Sequence, residues 1–69
     1  MKMVVAVNGE PHEFDEGSSL ADVLERLGIP MQTGIAVAVN DAVVPRGRLK
    51  EYRVREGDAL EIIGAVAGG

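Results

Sequence analysis

Ser19-Leu20-Ala21-Asp22-Val23-Leu24-Glu25-Arg26-Leu27-Gly28 carries a complete set of helix signals. Leu20, Val23, Leu24 and Leu27 fall at i, i+3, i+4 and i+7, which places them on one apolar stripe. Ser18 or Ser19 can cap the first turn, and Ser19 with Asp22 three residues later forms an S-x-x-D capping box. Gly28 suits the left-handed position after the last turn, and Pro30 forbids continuation. A helix with one such stripe needs a sheet face to cover it.

The flanking residues supply that sheet. Upstream, Met3 to Val7 is a β-branched run followed by Asn8-Gly9, a strong hairpin signal. Pro11 to Phe14 is expected to return as a second strand. Pro11 lacks an N–H for the ladder and so belongs at a strand start or an edge. Downstream, Ile35 to Val39 alternates Ile35, Val37 and Val39 with the small Ala36 and Ala38. Asn40-Asp41 turns the chain into Val43-Val44, which Pro45 ends. Arg46 to Glu51 is polar, with room for one helical turn. Tyr52 and Val54 alternate with arginines, Glu56-Gly57-Asp58 forms a turn, and Ala59 to Ile63 is the last strand. Two strands, one helix and three further strands read as an α+β fold in which a sheet grips a helix on one face. The other face is then left to water or a partner.

Composition bounds what such a fold can do. Sixty-nine residues make one domain, too small for a deep substrate cavity. There is no cysteine for disulfides or thiolate metal sites, and the apolar runs are too short to span a bilayer. No secretory leader is expected, which points to the cytoplasm. The net charge of −4 argues against a general nucleic-acid role. Acidic residues dominate the first part, while Arg46, Arg48, Lys50, Arg53 and Arg55 crowd one later stretch, suited either to solvent or to steering a partner.

Conventional active-site patterns are absent. His12, the single histidine, stands beside Pro11 on an expected edge strand and reads as a surface residue. Glu13, Asp15, Glu56 and Asp58 flank turns, where carboxylates solvate bent backbone. Neither glycine-rich phosphate loop occurs among the nine glycines. The chain is therefore expected to be no enzyme by itself, with neither metal nor cofactor.

The remaining feature is Gly64-Ala65-Val66-Ala67-Gly68-Gly69, without charge and with little bulk. It is expected to form a flexible tail on a domain spanning residues 1–63. Two glycines at a chain end arise by chance in roughly 0.5% of sequences. A Gly-Gly end threads narrow channels, and six extended residues reach on the order of 20 Å. The Gly69 carboxylate is a poor electrophile until adenylation turns its oxygen into a leaving group. A sulfur donor can then displace AMP and leave a thiocarboxylate, nucleophilic for the reason that thiolates are.

Ala38-Val39-Asn40 leading to Val43-Val44-Pro45-Arg46, Glu56-Gly57-Asp58 with Leu60-Glu61-Ile62-Ile63, and the final Ala67-Gly68-Gly69 carry a family resemblance. Along essentially its whole length the chain resembles the ThiS sulfur carriers of thiamine biosynthesis, in the ubiquitin-like β-grasp superfamily. The resemblance implies a mixed sheet of four to five strands with one main helix on one face. It implies that a ThiF-type adenylyltransferase activates Gly69, and that sulfur from a cysteine desulfurase-type donor makes the thiocarboxylate. The thiazole synthase ThiG then accepts the sulfur, and Gly68 maps onto the penultimate family glycine that lets the tail enter both partners. MoaD, the small subunit of molybdopterin synthase, shares the glycine tail and the Gly-Asp turn. It tends to place aromatics and prolines before its tail, where this chain has Ile62-Ile63-Gly64-Ala65. A carrier for molybdopterin or another pathway, and a ubiquitin-like modifier joined to lysine, are the alternative readings.

Overall fold

The computed structural model describes residues 1–29 and 35–64. The elements are β1 (Lys2–Val7), β2 (Glu10–Asp15), α1 (Leu20–Arg26), β3 (Ile35–Val39), β4 (Ala42–Val44) and β5 (Ala59–Gly64), with a 3-10 turn at Arg46–Arg48. The strands form one sheet in the order β2-β1-β5-β3-β4. β1 and β5 run parallel at its centre, and the other neighbouring pairs are antiparallel. The last strand therefore closes the sheet by inserting between the first and the third. β5 runs one residue past Ile63, to Gly64, which pairs with Ile35.

Both hairpins use two-residue turns with positive φ at each central position. Asn8 and Gly9 stand at 51° and 87°, Asn40 and Asp41 at 50° and 72°. This is the type I′ geometry that matches strand twist. Pro11 sits near the start of β2, an edge strand.

At the head of α1, Ser19 is the cap. The Asp22 N–H donates to its Oγ at 3.1 Å, and the Ser19 N–H donates to Asp22 Oδ2 at 3.0 Å. At the other end Gly28, at φ +75°, donates to the Glu25 carbonyl, and Ile29 donates to that of Leu24. Those two bonds make the Schellman closure, which needs a left-handed residue after the cap. Pro30, expected to stop the helix, lies outside the described residues; of the expected flexible tail 64–69, Gly64 belongs to β5 because it pairs with Ile35, and 65–69 lie outside the described residues.

Alternation puts Met3, Val5 and Val7 of β1, Val37 and Val39 of β3 and Leu60 of β5 on the face that α1 covers. Leu20, Val23 and Leu24 reach that core fully, while Leu27 packs at its margin. Phe14 of β2, Val44 of β4, and Leu49 and Val54 from the long connection after β4 complete it. The connection does not form a strand at Tyr52–Arg55. It is sewn down by the Ser19–Arg53 bridge, with Leu20 donating to the Tyr52 carbonyl and Val54 to that of Ser18.

Candidate functional site

Gly68 and Gly69, the residues expected to carry the chemistry, lie outside the described residues. What the structure describes is the strand leading to them and the surface around it.

β5 is held from both sides. On the β3 side the ladder runs from Val39↔Leu60 to Ile35↔Gly64. On the β1 side it covers only Ala6↔Ala59 and Val7↔Leu60. The Glu56-Gly57-Asp58 turn fixes the entry. Glu56 Oε1 accepts from the Val4 N–H at 2.9 Å, Gly57 bends at φ +84° and donates to the Val4 carbonyl, and Asp58 Oδ2 accepts from the Arg55 N–H. The sequence marked these carboxylates only as turn formers. In the structure the Glu56 carboxylate ties the turn to β1, while that of Asp58 closes the turn on Arg55 and accepts from Asn40 Nδ2.

Among the described residues nothing covers the sheet face away from α1. Ala36 and Ala38 of β3, Val43 of β4, Ala59, Glu61 and Ile63 of β5, Lys2 and Val4 of β1 and Glu13 of β2 lie on it, by strand alternation and register. Val43 is 72% exposed and Ile63 64%. Val43 and Ile63, held out to solvent around Ala36 and Ala38, make a small apolar patch at the end of β5, with Glu61 beside it across from Ala38.

The basic stretch is not a uniform patch. Arg46, Arg48, Lys50, Arg53 and Arg55 are all exposed. However, the Arg53 guanidinium donates to the Gly17 carbonyl at 3.2 Å and so anchors the loop before α1. Lys50 and Arg53 line a surface groove with Asp22 and Glu25. The backbone and hydroxyl hydrogen bonds of Ser19 hold the Asp22 carboxyl below the usual carboxylate range. Lys2, bonded to Asp15 at 2.7 Å, does the same there. His12, on the edge strand, is half-buried and stacks on Phe14 with ring centroids 6.2 Å apart. Among the described residues no group of three or more His, Cys, Asp or Glu is placed to hold a metal, and no helix is long and apolar enough to cross a membrane.

Sequence reasoning missed Asn8 and Asn40 as anything but turn residues. The Asn8 Oδ1 accepts from the Ile62 N–H at 2.8 Å, and the Asn40 Oδ1 accepts from the Ala59 N–H at 3.0 Å. Neither contact has a sequence signal, because the partners lie 54 and 19 residues away.

A five-stranded mixed sheet with a central parallel pair, closed by the last strand and gripping one helix, defines a β-grasp domain. The ThiS family matches residues 3–69, and the chain belongs to that family. It is 33% identical over 66 residues to the sulfur carrier protein ThiS of Thermus thermophilus, covering 96% of this chain and all of that one. The sulfur carrier protein ThiS of Escherichia coli is 30% identical over 67 residues, again along its full length. A thiazole synthase of Magnetococcus marinus contains a stretch 36% identical over 67 residues, so this chain spans a fifth of that protein. The crystal structure of a thiamine biosynthesis protein (ThiS) from Geobacter metallireducens superposes with a TM-score of 0.80 at 29% identity, over 97% of this chain and all of that one.

Proposed function

We propose that this chain is a sulfur carrier for thiazole formation in thiamine biosynthesis, with Gly69 as the atom-bearing residue. The observation that carries the reading is the family match, which runs to Gly69 and includes full-length likeness to two sulfur carriers. The reaction follows from carboxylate chemistry. A ThiF-type adenylyltransferase joins the Gly69 carboxylate to AMP from ATP, releasing pyrophosphate. Hydrosulfide attacks the mixed anhydride, the C–O bond to AMP breaks, and a thiocarboxylate remains. With a cysteine persulfide from a desulfurase-type donor, a thiol must reductively release the new acyl disulfide. The thiocarboxylate sulfur then passes to a thiazole synthase of the ThiG type.

Gly68 supplies the slender approach that a narrow active site demands. The fold serves as handle and address, and partner enzymes supply catalysis in the cytoplasm. The open sheet face with Val43 and Ile63 gives such partners an apolar surface beside the exit of β5. A thiazole synthase containing a stretch similar to this chain supports pairing the two functions.

The test is reconstitution of thiazole formation from purified parts. The full chain should support it, and a variant lacking Gly68 and Gly69 should support none while keeping its circular dichroism and melting temperature. Undiminished thiazole formation by the truncated variant would remove the proposal. Isopeptide conjugates to lysine in place of thiazole would favour the modifier reading instead.

A further inference from the structure

β1 stops supporting β5 before β5 ends. Its last backbone contact is the Asn8 N–H, which donates to the Leu60 carbonyl at 2.9 Å. The chain then bends away through the left-handed pair Asn8 and Gly9. The next peptide groups on that edge of β5 are the N–H and C=O of Ile62, and the Asn8 side chain meets both. Its Oδ1 accepts from the Ile62 N–H at 2.8 Å, and its Nδ2 donates to the Ile62 carbonyl at 3.4 Å. A carboxamide presents the same donor and acceptor as a peptide group, so it substitutes for the strand residue that β1 lacks. The N–H of Ile62 can only donate, which fixes the orientation of the Asn8 amide.

Asn40 occupies the corresponding position of the other hairpin, at nearly the same φ, and acts at the opposite end of the strand. Its Oδ1 accepts from the Ala59 N–H and its Nδ2 donates to Asp58 Oδ1 at 3.2 Å. The two turns thus hold β5 from its two flanks, Asn40 at the entry and Asn8 two residues before Gly64. Without the Asn8 contact, Ile62 to Gly64 would keep only the β3 ladder and could pivot about it.

We propose that Asn8 is a positioning residue for the activation of Gly69: by carrying the β1 ladder one step further, it fixes the heading on which the chain leaves Gly64. The inference rests on the carrier reading. Its effect belongs mainly in the turnover of the docked complex, because Asn8 lies in a turn and acts on the backbone of β5, and of the open-face residues Ile63 alone lies in the segment it steadies, while Val4, Ala36, Ala38 and Val43 stay on strands it does not touch.

Three variants separate the roles of the residue. Asn8→Gly keeps the turn, since glycine accepts the left-handed position, but deletes the clamp. Asn8→Asp keeps an acceptor for the Ile62 N–H. Asn40→Gly makes the same turn change at the strand entry. Pyrophosphate release by a ThiF-type enzyme is measured against carrier concentration, alongside amide exchange at Ile62. Asn8→Gly is expected to speed Ile62 exchange and lower kcat by about threefold to tenfold, with KM changed by less than about twofold, as misorientation of a reacting group predicts. Asn8→Asp should recover much of kcat, and Asn40→Gly should lower the melting temperature but spare kcat. A normal kcat in Asn8→Gly despite fast Ile62 exchange, or an equal loss in Asn40→Gly, would overturn the positioning role while leaving the carrier reading intact. No pyrophosphate release with the unaltered chain, by an enzyme active on its own carrier, would overturn the carrier reading and the positioning role together.

Discussion

Ser19 joins the two halves of the chain at a single residue. Its hydroxyl and N–H close the capping box with Asp22, and its backbone bridges to Arg53. Replacing it with alanine should cost about 1 kcal/mol, as loss of a helix cap does. For a domain of this size that is a fall in melting temperature of about 4–8 °C, read by circular dichroism. Asp22 adds a pH signature. Its folded pKa lies below the unfolded one, so its contribution is present above the ordinary aspartate value of about 3.9 and fades as pH falls through the depressed value. The melting-temperature gap between the wild type and Asp22→Asn should therefore hold steady from neutral pH to about pH 5 and shrink below about pH 4. A gap undiminished at about pH 2 would show that the carboxylate charge is irrelevant there.

At the scale of elements, α1 and the two hairpins are local objects, and that is why they were legible. The stripe from Leu20, the cap at Ser19, the stop at Gly28 and the Asn-Gly turn each depend on residues within one or two turns of chain. The same locality hid the rest. Alternation assigned Val37 and Val39 to one face, yet it carries no statement of which strand lies beside which. The central position of β5 and its parallel pairing with β1 stood in no reading of the sequence, since the family resemblance implied only a mixed sheet of four to five strands. The clamps from Asn8 and Asn40 were invisible, because a turn-forming asparagine looks alike whether or not its amide has a distant partner. Of the candidate site, Gly68-Gly69 was legible as composition, and the open face with Val43 and Ile63 needed the register to appear. The helix also sets the stability of the whole. Leu24 is 1% exposed in the centre of the core, and Leu24→Ala should cost about 2–5 kcal/mol. A domain of this length holds only about 3–10 kcal/mol in total. Urea titration should find Leu24→Ala close to unfolding, whereas the exposed Glu25→Ala should stay within about 0.5 kcal/mol of the parent.

Taken whole, the molecule presents an apolar patch at Val43 and Ile63 on the open sheet face and an exposed basic stretch after β4, on a body of net negative charge. Charge of that kind acts on encounter rates more than on final affinity. Because Arg53 is tied to the Gly17 carbonyl, reversing it would disturb the fold as well as the field. Arg48 and Arg55 make the better probe. Arg48→Glu with Arg55→Glu should slow association with the activating enzyme in low salt, and the difference should fade as salt shortens the screening length to about 8 Å or less. Equal association rates at low salt would remove the basic stretch from the docking scheme.

Loading of sulfur on Gly69, the step proposed for this chain, is read most directly from an intact-mass spectrum. The chain is incubated with a ThiF-type enzyme, ATP and a sulfide source, beside a variant lacking Gly69. A mass gain equal to the replacement of one oxygen by sulfur is expected in the full chain and none in the variant. An unchanged mass in the full chain, under conditions where the enzyme loads its own carrier, would contradict it.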